Sequence, residues 1–361
     1  MPNCRVCGVD IPEPGLCAEC QAEQSASAAK RRAGPLPLII ALALGVVLIT
    51  ATAIIISLPQ GETTTAGTGD ESQPVKMQGT RTAADRDNES MEKFGNQTVP
   101  VKYDITKITD QPPIDNQDGY IKWMLAHTNE SEASLSLRWE RAQLIIQSGQ
   151  GEFADPNALR AFLLTPRERF TRGQNLFATY GAKPLQIGYG QTITAPNVMA
   201  MMTTSLRVKP EDKILEIGTG SGYQSAVLAR LSNHVYSIEI IKELYQQTDK
   251  LFTSLEKEYP VYKNIVRKLD DGYYGWAKYA PFDKIIITCS IDHLPPPLIK
   301  QLKVGGIIIV PLGPPYRQFL MRIEKVKNKD GQIRLIQKDV YDGMGVIFVP
   351  FTDSKGKSYS K

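Results

Sequence analysis

Three stretches carry residue types that could do chemistry. The first is ILEIGTGSGYQ, residues 214–224. An acid, Glu216, precedes Gly218, Gly220 and Gly222 where an apolar run gives way to a turn. Glycines at the carboxyl end of a strand let the backbone turn tightly and come close to a ligand. The spacing is G-x-G-x-G, without the extra residue of the dinucleotide fingerprint. Glu239 ends the next apolar run, where a carboxylate can accept from both hydroxyls of a ribose. Asp271, in LDDG, ends the one after, where it can take an adenine amino group. Together they describe an adenosine site with no pyrophosphate requirement, which fits S-adenosylmethionine better than NAD. A purely structural turn with two exposed acids is the alternative.

The second stretch is LQIGYGQTITAP, residues 185–196. Thr192 and Thr194 alternate around Ile193 behind a glycine-rich turn, and Pro196 stops the run. It reads either as a β-turn feeding a helix, with a threonine as cap, or as an anion pocket of hydroxyls and backbone N–H groups. The third is CRVCGVDIPEPGLCAEC. Cys4, Cys7, Cys17 and Cys20 form two C-x-x-C pairs, the spacing of a closed tetrahedral zinc site that would be structural or a docking point. Two disulfides or a redox-active tail are the alternatives. The three histidines, His127, His234 and His293, are too scattered for a metal cluster or a Ser-His-Asp set.

The elements that must position these residues are legible in outline. From 212 onward, short apolar runs alternate with amphipathic segments: DKILEIGTG, HVYSIEI, NIVRKLDDG, FDKIIITCS and GGIIIVPLG as strands, with helices at SGYQSAVLARLS, 241–258 and PPPLIKQLK. Such alternation predicts an α/β, doubly wound, mostly parallel sheet of Rossmann type. A hairpin turning at Asp330-Gly331 adds antiparallel strands at one edge. Cys289, ending the fourth strand, reads as a small buried residue.

The chain has 361 residues, 42 basic and 38 acidic side chains and a formal charge of +4, a balance that gives no reason to expect a nucleic-acid partner. It divides into a zinc knuckle with a basic segment (1–34), an uncharged apolar run (35–59), a polar linker (60–112) and a folded body (113–361). The apolar run is long enough for a transmembrane helix, which predicts a single-pass membrane protein with the lipid bilayer as partner. Lys30, Arg31 and Arg32 precede it and no basic residue follows in 60–69, so the N-terminus is expected in the cytoplasm, where the knuckle could dock a partner. That places the body on the side where S-adenosylmethionine is not expected, so the side holding the body is open.

From about 137 to 354 the chain resembles the protein-L-isoaspartate O-methyltransferase family. The resemblance rests on SLRWERAQLIIQSGQGEFADPNALRAFLLTPRERF, PLQIGYGQTITAP, ILEIGTGSGYQSAVLA, LPPPLIKQLKVGGIIIVPLG and GVIFVPFTD, in that order. It implies a class I methyltransferase with an N-terminal helical region, acting on isoaspartyl-containing proteins or peptides. The methyl ester would cyclise to a succinimide that can reopen as aspartate. The resemblance places Thr194 at the active-site serine position with Thr192 beside it. It counts Gln191, Glu216, Gly218, Gly220, Gly222, Glu239, Asp271 and Gly272 toward the cofactor. A carboxylate acceptor is already ionised at pH 7 and needs no general base, so orientation is the main task. Thr194 replaces the commoner serine, Asn197 and Met199 stand where many relatives carry histidine, and Asp270 replaces a usual glycine. These departures keep open a different acceptor on the same fold, or a non-catalytic module that binds damaged protein.

Overall fold

The computed structural model describes residues 97–148 and 155–360. Three helices open the body: α1 (Gln117–His127), α2 (Glu132–Gln147) and α3 (Pro156–Leu163). Each begins on a polar cap. Asn116 accepts from the Gly119 amide, Ser131 from Ser134, and Asp155 from Asn157, so orphan amides at the helix starts are satisfied. A 3-10 turn (Arg167–Phe170) and a short helix, α4 (Leu176–Thr179), lead into a two-stranded hairpin, β1 (Leu185–Gly188) and β2 (Gln191–Ile193). Helix α5 (Pro196–Leu206) follows.

The sheet then builds by alternation: β3 (Lys213–Ile217), α6 (Tyr223–Ala229), β4 (His234–Glu239), α7 (Lys242–Leu255), β5 (Ile265–Leu269), β6 (Phe282–Ile287), α8 (Pro296–Gln301) and β7 (Leu302–Leu312). Strands β8 (Gln318–Lys327), β9 (Ile333–Asp339) and β10 (Gly345–Val346) complete it. The order is β10-β8-β7-β6-β3-β4-β5, with β9 also against β8. β3 to β7 pair in parallel, whereas β8 pairs antiparallel with β7, β9 and β10. The expected mixed sheet and the hairpin around Gly331 are present, Gly331 donating to the Asn328 carbonyl in the turn.

The strands are apolar on both faces because both are covered. Ile214, Val235, Ile286, Ile307 and Ile309 face one core shared with the helical region. Leu215, Tyr236, Ile238, Ile285, Ile287 and Ile308 face the other. Among the charged residues in the helical layer is Arg138, fully buried. It donates to Tyr180 Oη (2.9 Å) and the Leu163 carbonyl (2.8 Å) and is ion-paired with Glu130 and Glu168. This ties α2 to the 3-10 turn that starts at Arg167.

Two expectations about organisation change. The linker does not extend to residue 112. Residues 97–108 are pinned to the body through their main chain: Val99 N–H donates to Tyr236 Oη (3.3 Å), Lys102 and Tyr103 N–H to Asn264 Oδ1 (3.2 and 3.0 Å), and Ile105 N–H to Asn233 Oδ1 (3.0 Å). The single-pass membrane expectation is also corrected. Among the described residues no helix is long and apolar enough to cross a membrane. The longest, α2, has 16 residues, fewer than the roughly 20 needed to span a bilayer, and carries charges. The run 35–59, and the topology read from its flanks, lie outside the described residues.

Candidate active site

The carboxyl ends of β3, β4 and β6 meet the β1–β2 hairpin and the start of α5 around an open cleft of about 850 Å³. This is the edge where open α/β sheets bind ligands. Gln191, Thr192, Thr194, Gly218, Gly220, Glu239 and Gly272 all line it, so most of the residues singled out in the sequence converge here. Thr219, Tyr223, Thr288, Cys289 and Phe351 complete the walls. Cys289 is half-buried in the cleft wall rather than fully buried, and desolvation pushes its thiol pKa up, away from the thiolate form.

Glu239 organises the cleft wall at the ends of β3 and β4. One carboxylate oxygen accepts from Gly220 N–H (2.8 Å), the other from Ile240 and Ile241 N–H (3.0 Å each). Burial raises its pKa, and the backbone hydrogen bonds pull against that rise. Gly220 sits at φ +57°, and its carbonyl accepts from Thr248 Oγ1 (2.7 Å), so the loop is held from both sides. A Cβ at Gly220 would meet only Ile187 Cδ1, at 3.5 Å, which leaves the backbone open to a ligand. The arrangement fits an adenosine group.

Glu216 does not line the cleft. It is fully buried beneath the glycine loop, accepting from Ser225 Oγ and Ser237 Oγ, and Ser237 in turn contacts Thr219 Oγ1 at 2.6 Å. Its other oxygen has no partner. Burial pushes its pKa up to about 7, against the two serine hydrogen bonds. Because the folded carboxyl holds its proton to about pH 7 and the unfolded one only to near 4.5, the unfolded state binds fewer protons between those values. The stability contribution of Glu216 is therefore complete below the unfolded pKa and is lost as pH rises through the folded one. Thermal melts should show wild-type stability falling more steeply from pH 5 to pH 8 than that of Glu216→Gln. Equal slopes would show that the group is already ionised.

Asp271 also lies outside the lining, with Gly272 in its place. It caps the turn Gly272–Tyr274 by accepting from Tyr273 N–H (2.9 Å), and its second oxygen accepts from Tyr359 Oη. Burial raises its pKa, opposed by Tyr359 and the Tyr273 amide. Tyr359 was not singled out in the sequence. The tail returns it: Tyr359 N–H donates to the Phe351 carbonyl (2.9 Å), and its ring stacks on Tyr273 with centroids 4.2 Å apart. Nothing in the local pattern SKGKSYSK marks that return.

The threonines stand on the wall formed by β2 and the turn into α5. The α5 cap is Ala195, which makes no side-chain cap hydrogen bond, so neither threonine caps the helix. Neither hydroxyl makes a hydrogen bond to another described residue, whereas the Thr194 carbonyl accepts from Arg167 Nη2 (2.8 Å). Arg167 is a second residue that sequence reasoning left without a role, although the TPRERF motif contains it. Asn197 reaches Tyr341 Oη (3.0 Å), and Met199 lines the cleft. Among the described residues no group of three or more His, Cys, Asp or Glu could hold a metal. Cys4, Cys7, Cys17 and Cys20 lie outside them, so the zinc expectation gains no support here.

Residues 140–356 match the family model described as Protein-L-isoaspartate(D-aspartate) O-methyltransferase (PCMT). The chain is 44% identical over 191 residues to protein-L-isoaspartate O-methyltransferase 2 of Polaromonas sp. strain JS666, covering 53% of this chain and 85% of that protein. It is 40% identical over 225 residues to protein-L-isoaspartate O-methyltransferase 2 of Shewanella sediminis, covering 62% and 86%. A solved structure named protein-L-isoaspartate O-methyltransferase superposes with a TM-score of 0.51 at 25% identity, covering 61% of this chain and 67% of that one. With the family model covering well over half of the sequence, the chain belongs to the protein-L-isoaspartate(D-aspartate) O-methyltransferase family.

Proposed function

We propose that this chain methylates the α-carboxylate of L-isoaspartyl residues in damaged proteins, using S-adenosylmethionine, as a step in their repair. The observation that carries the reading is the pair of uncapped, unpartnered hydroxyls of Thr192 and Thr194, lining the same cleft as Glu239 and the glycine loop. When bound, S-adenosylmethionine supplies an electrophilic methyl group on a sulfonium sulfur. Glu239 would hold the ribose hydroxyls, Gly218 and Gly220 would let the backbone approach, and Gly272 with Asp271 would flank the adenine. Gln191, on the hairpin, would face the cofactor from the acceptor side. Glu216 acts through Ser237 and Thr219, holding the glycine loop from below rather than touching a ligand.

On the other wall, Thr194 and Thr192 would donate to the acceptor carboxylate. Hydroxyl donors orient an oxygen nucleophile without the bidentate grip of a guanidinium, which would withdraw its charge. No proton has to be abstracted, because the carboxylate is ionised at neutral pH. Full-length protein is expected to label an isoaspartyl peptide from radiolabelled S-adenosylmethionine and to leave the matched aspartyl peptide unlabelled. Thr194→Val should lower kcat/KM by roughly 10- to 100-fold, the scale of one lost hydrogen bond to a charged group. Thr194→Ser should keep most of the activity. Label in both peptides, or an unchanged Thr194→Val enzyme, would sink the assignment.

The division of the chain before the folded body into a cysteine-rich segment (1–34), an apolar run (35–59) and a polar stretch from residue 60 stays a proposal from sequence. So does zinc on Cys4, Cys7, Cys17 and Cys20, which rests on spacing alone and is checked by the zinc content of the full chain.

A further inference from the structure

Arg167 carries a charge that no described carboxylate answers. It opens the 3-10 turn Arg167–Phe170 and is wholly buried. Its Nε donates to the Thr179 carbonyl (2.8 Å) and its Nη2 to the Thr194 carbonyl (2.8 Å). The guanidinium lies over the Tyr223 ring, 4.8 Å from the centroid. Nη1 has no hydrogen-bond partner, and neither has the Tyr223 hydroxyl. The adjacent acid, Glu168, is committed to Arg138 and Tyr180. Among the described residues Arg167 therefore makes no ion pair.

A guanidinium does not shed its proton, so burial costs free energy that carbonyl dipoles and an aromatic face offset only in part. Of the three residues it contacts, Thr194 and Tyr223 line the cleft, and Thr194 bears one of the free hydroxyls. The cleft's lining acid, Glu239, is engaged by three amides on the cofactor wall. A positive charge thus stands just behind the acceptor wall with its counter-charge missing.

We propose that Arg167 is a positioning residue that makes the site select an anionic acceptor over a neutral one, through its grip on Thr194 and the field it sets across the hydroxyl pair. The inference rests on the methyl-transfer reading above. The setback is what makes the device useful. Coulomb attraction falls only as the inverse of distance, so a charge behind the wall still draws in a carboxylate. Hydrogen bonding that would blunt the nucleophile needs contact, and a buried guanidinium held by two carbonyls makes none.

The test uses the full chain saturated with S-adenosylhomocysteine and two peptides that differ only at the isoaspartyl α-position, carboxylate or carboxamide. Affinities are measured by calorimetry for wild type, Arg167→Lys and Arg167→Met. Wild type is expected to favour the carboxylate, Arg167→Met to lose roughly tenfold or more of that preference, and Arg167→Lys to retain most of it. A merely structural role would weaken both peptides in parallel and leave their ratio unchanged, and that result overturns the proposal. Should Arg167→Met fail to fold, the wild-type ratio decides: a ratio near one also overturns it. A wild type that binds neither peptide and transfers no methyl group would instead remove the isoaspartyl reading, and the role of Arg167 with it.

Discussion

Glu239→Gln is expected to weaken S-adenosylhomocysteine binding by roughly 30- to 100-fold, about 2–3 kcal/mol. Glutamine keeps the shape and removes the charge. One of its two terminal atoms becomes a donor, so it must face either the Gly220 amide or the Ile240 and Ile241 amides, donor against donor. Whichever way it turns, the site loses a charged acceptor for the ribose and an anchor for the glycine loop. Calorimetry on the purified full chain reads the change directly. A dissociation constant within about threefold of wild type would remove Glu239 from the cofactor wall.

The second large effect is on the fold itself. Gly222 stands at φ +91°, and a Cβ placed there would lie 2.6 Å from Phe252 Cε2 and 2.9 Å from both Phe252 Cζ and Thr248 Cγ2. An L-residue is strained at that φ by about 1–2 kcal/mol, and overpacking a close-packed contact adds about 1–3. Phe252 cannot simply step aside, because it is fully buried and packs against Phe170 and Tyr262, with centroids at 5.9 and 5.6 Å. Gly222→Val is therefore expected to cost about 2–5 kcal/mol and to lower the melting temperature by roughly 10 °C in a body of this size. A drop of less than about 3 °C would mean that helix α7 can shift away from the loop.

The parallel sheet was legible because each of its strands is a short apolar run that must be covered on both faces. The glycine turn was legible for a related reason: Gly218, Gly220 and Gly222 all stand at positive φ after β3, although Gly222 packs against Phe252 and does not line the cleft. Depth along a strand was harder to read. Glu216 pairs with Ser237 in the sheet register, which sets it two residues short of Glu239 on the same face. An acid in ILEIG therefore looks like a ligand group in the sequence yet ends beneath the loop, where only serine hydroxyls reach it.

Contacts between distant segments were not legible at all. The segment 97–108 alternates Val99, Val101, Tyr103 and Ile105 with Pro100, Lys102 and Asp104, but it follows a long polar run and was read with that run as linker. It is held because its amides meet Asn233, Asn264 and Tyr236, each well over a hundred residues away. Arg167 and Tyr359 were missed for the same reason. Arg167 lies in the TPRERF motif and Tyr359 in none, yet each gains its meaning from partners distant in sequence.

The position of Tyr359 bears on how this protein should be handled in the laboratory. The tyrosine that engages Asp271 also stacks on Tyr273, so the stretch around residue 359 is coupled to the turn at Gly272. A label or insertion placed beside Tyr359 would act on the Asp271 carboxylate, and its bulk or charge would tug on the stacked Tyr273–Tyr359 pair. Handles for purification, immobilisation or imaging belong away from this stretch, and activities recorded with labels beside Tyr359 should be read with that lever arm in mind.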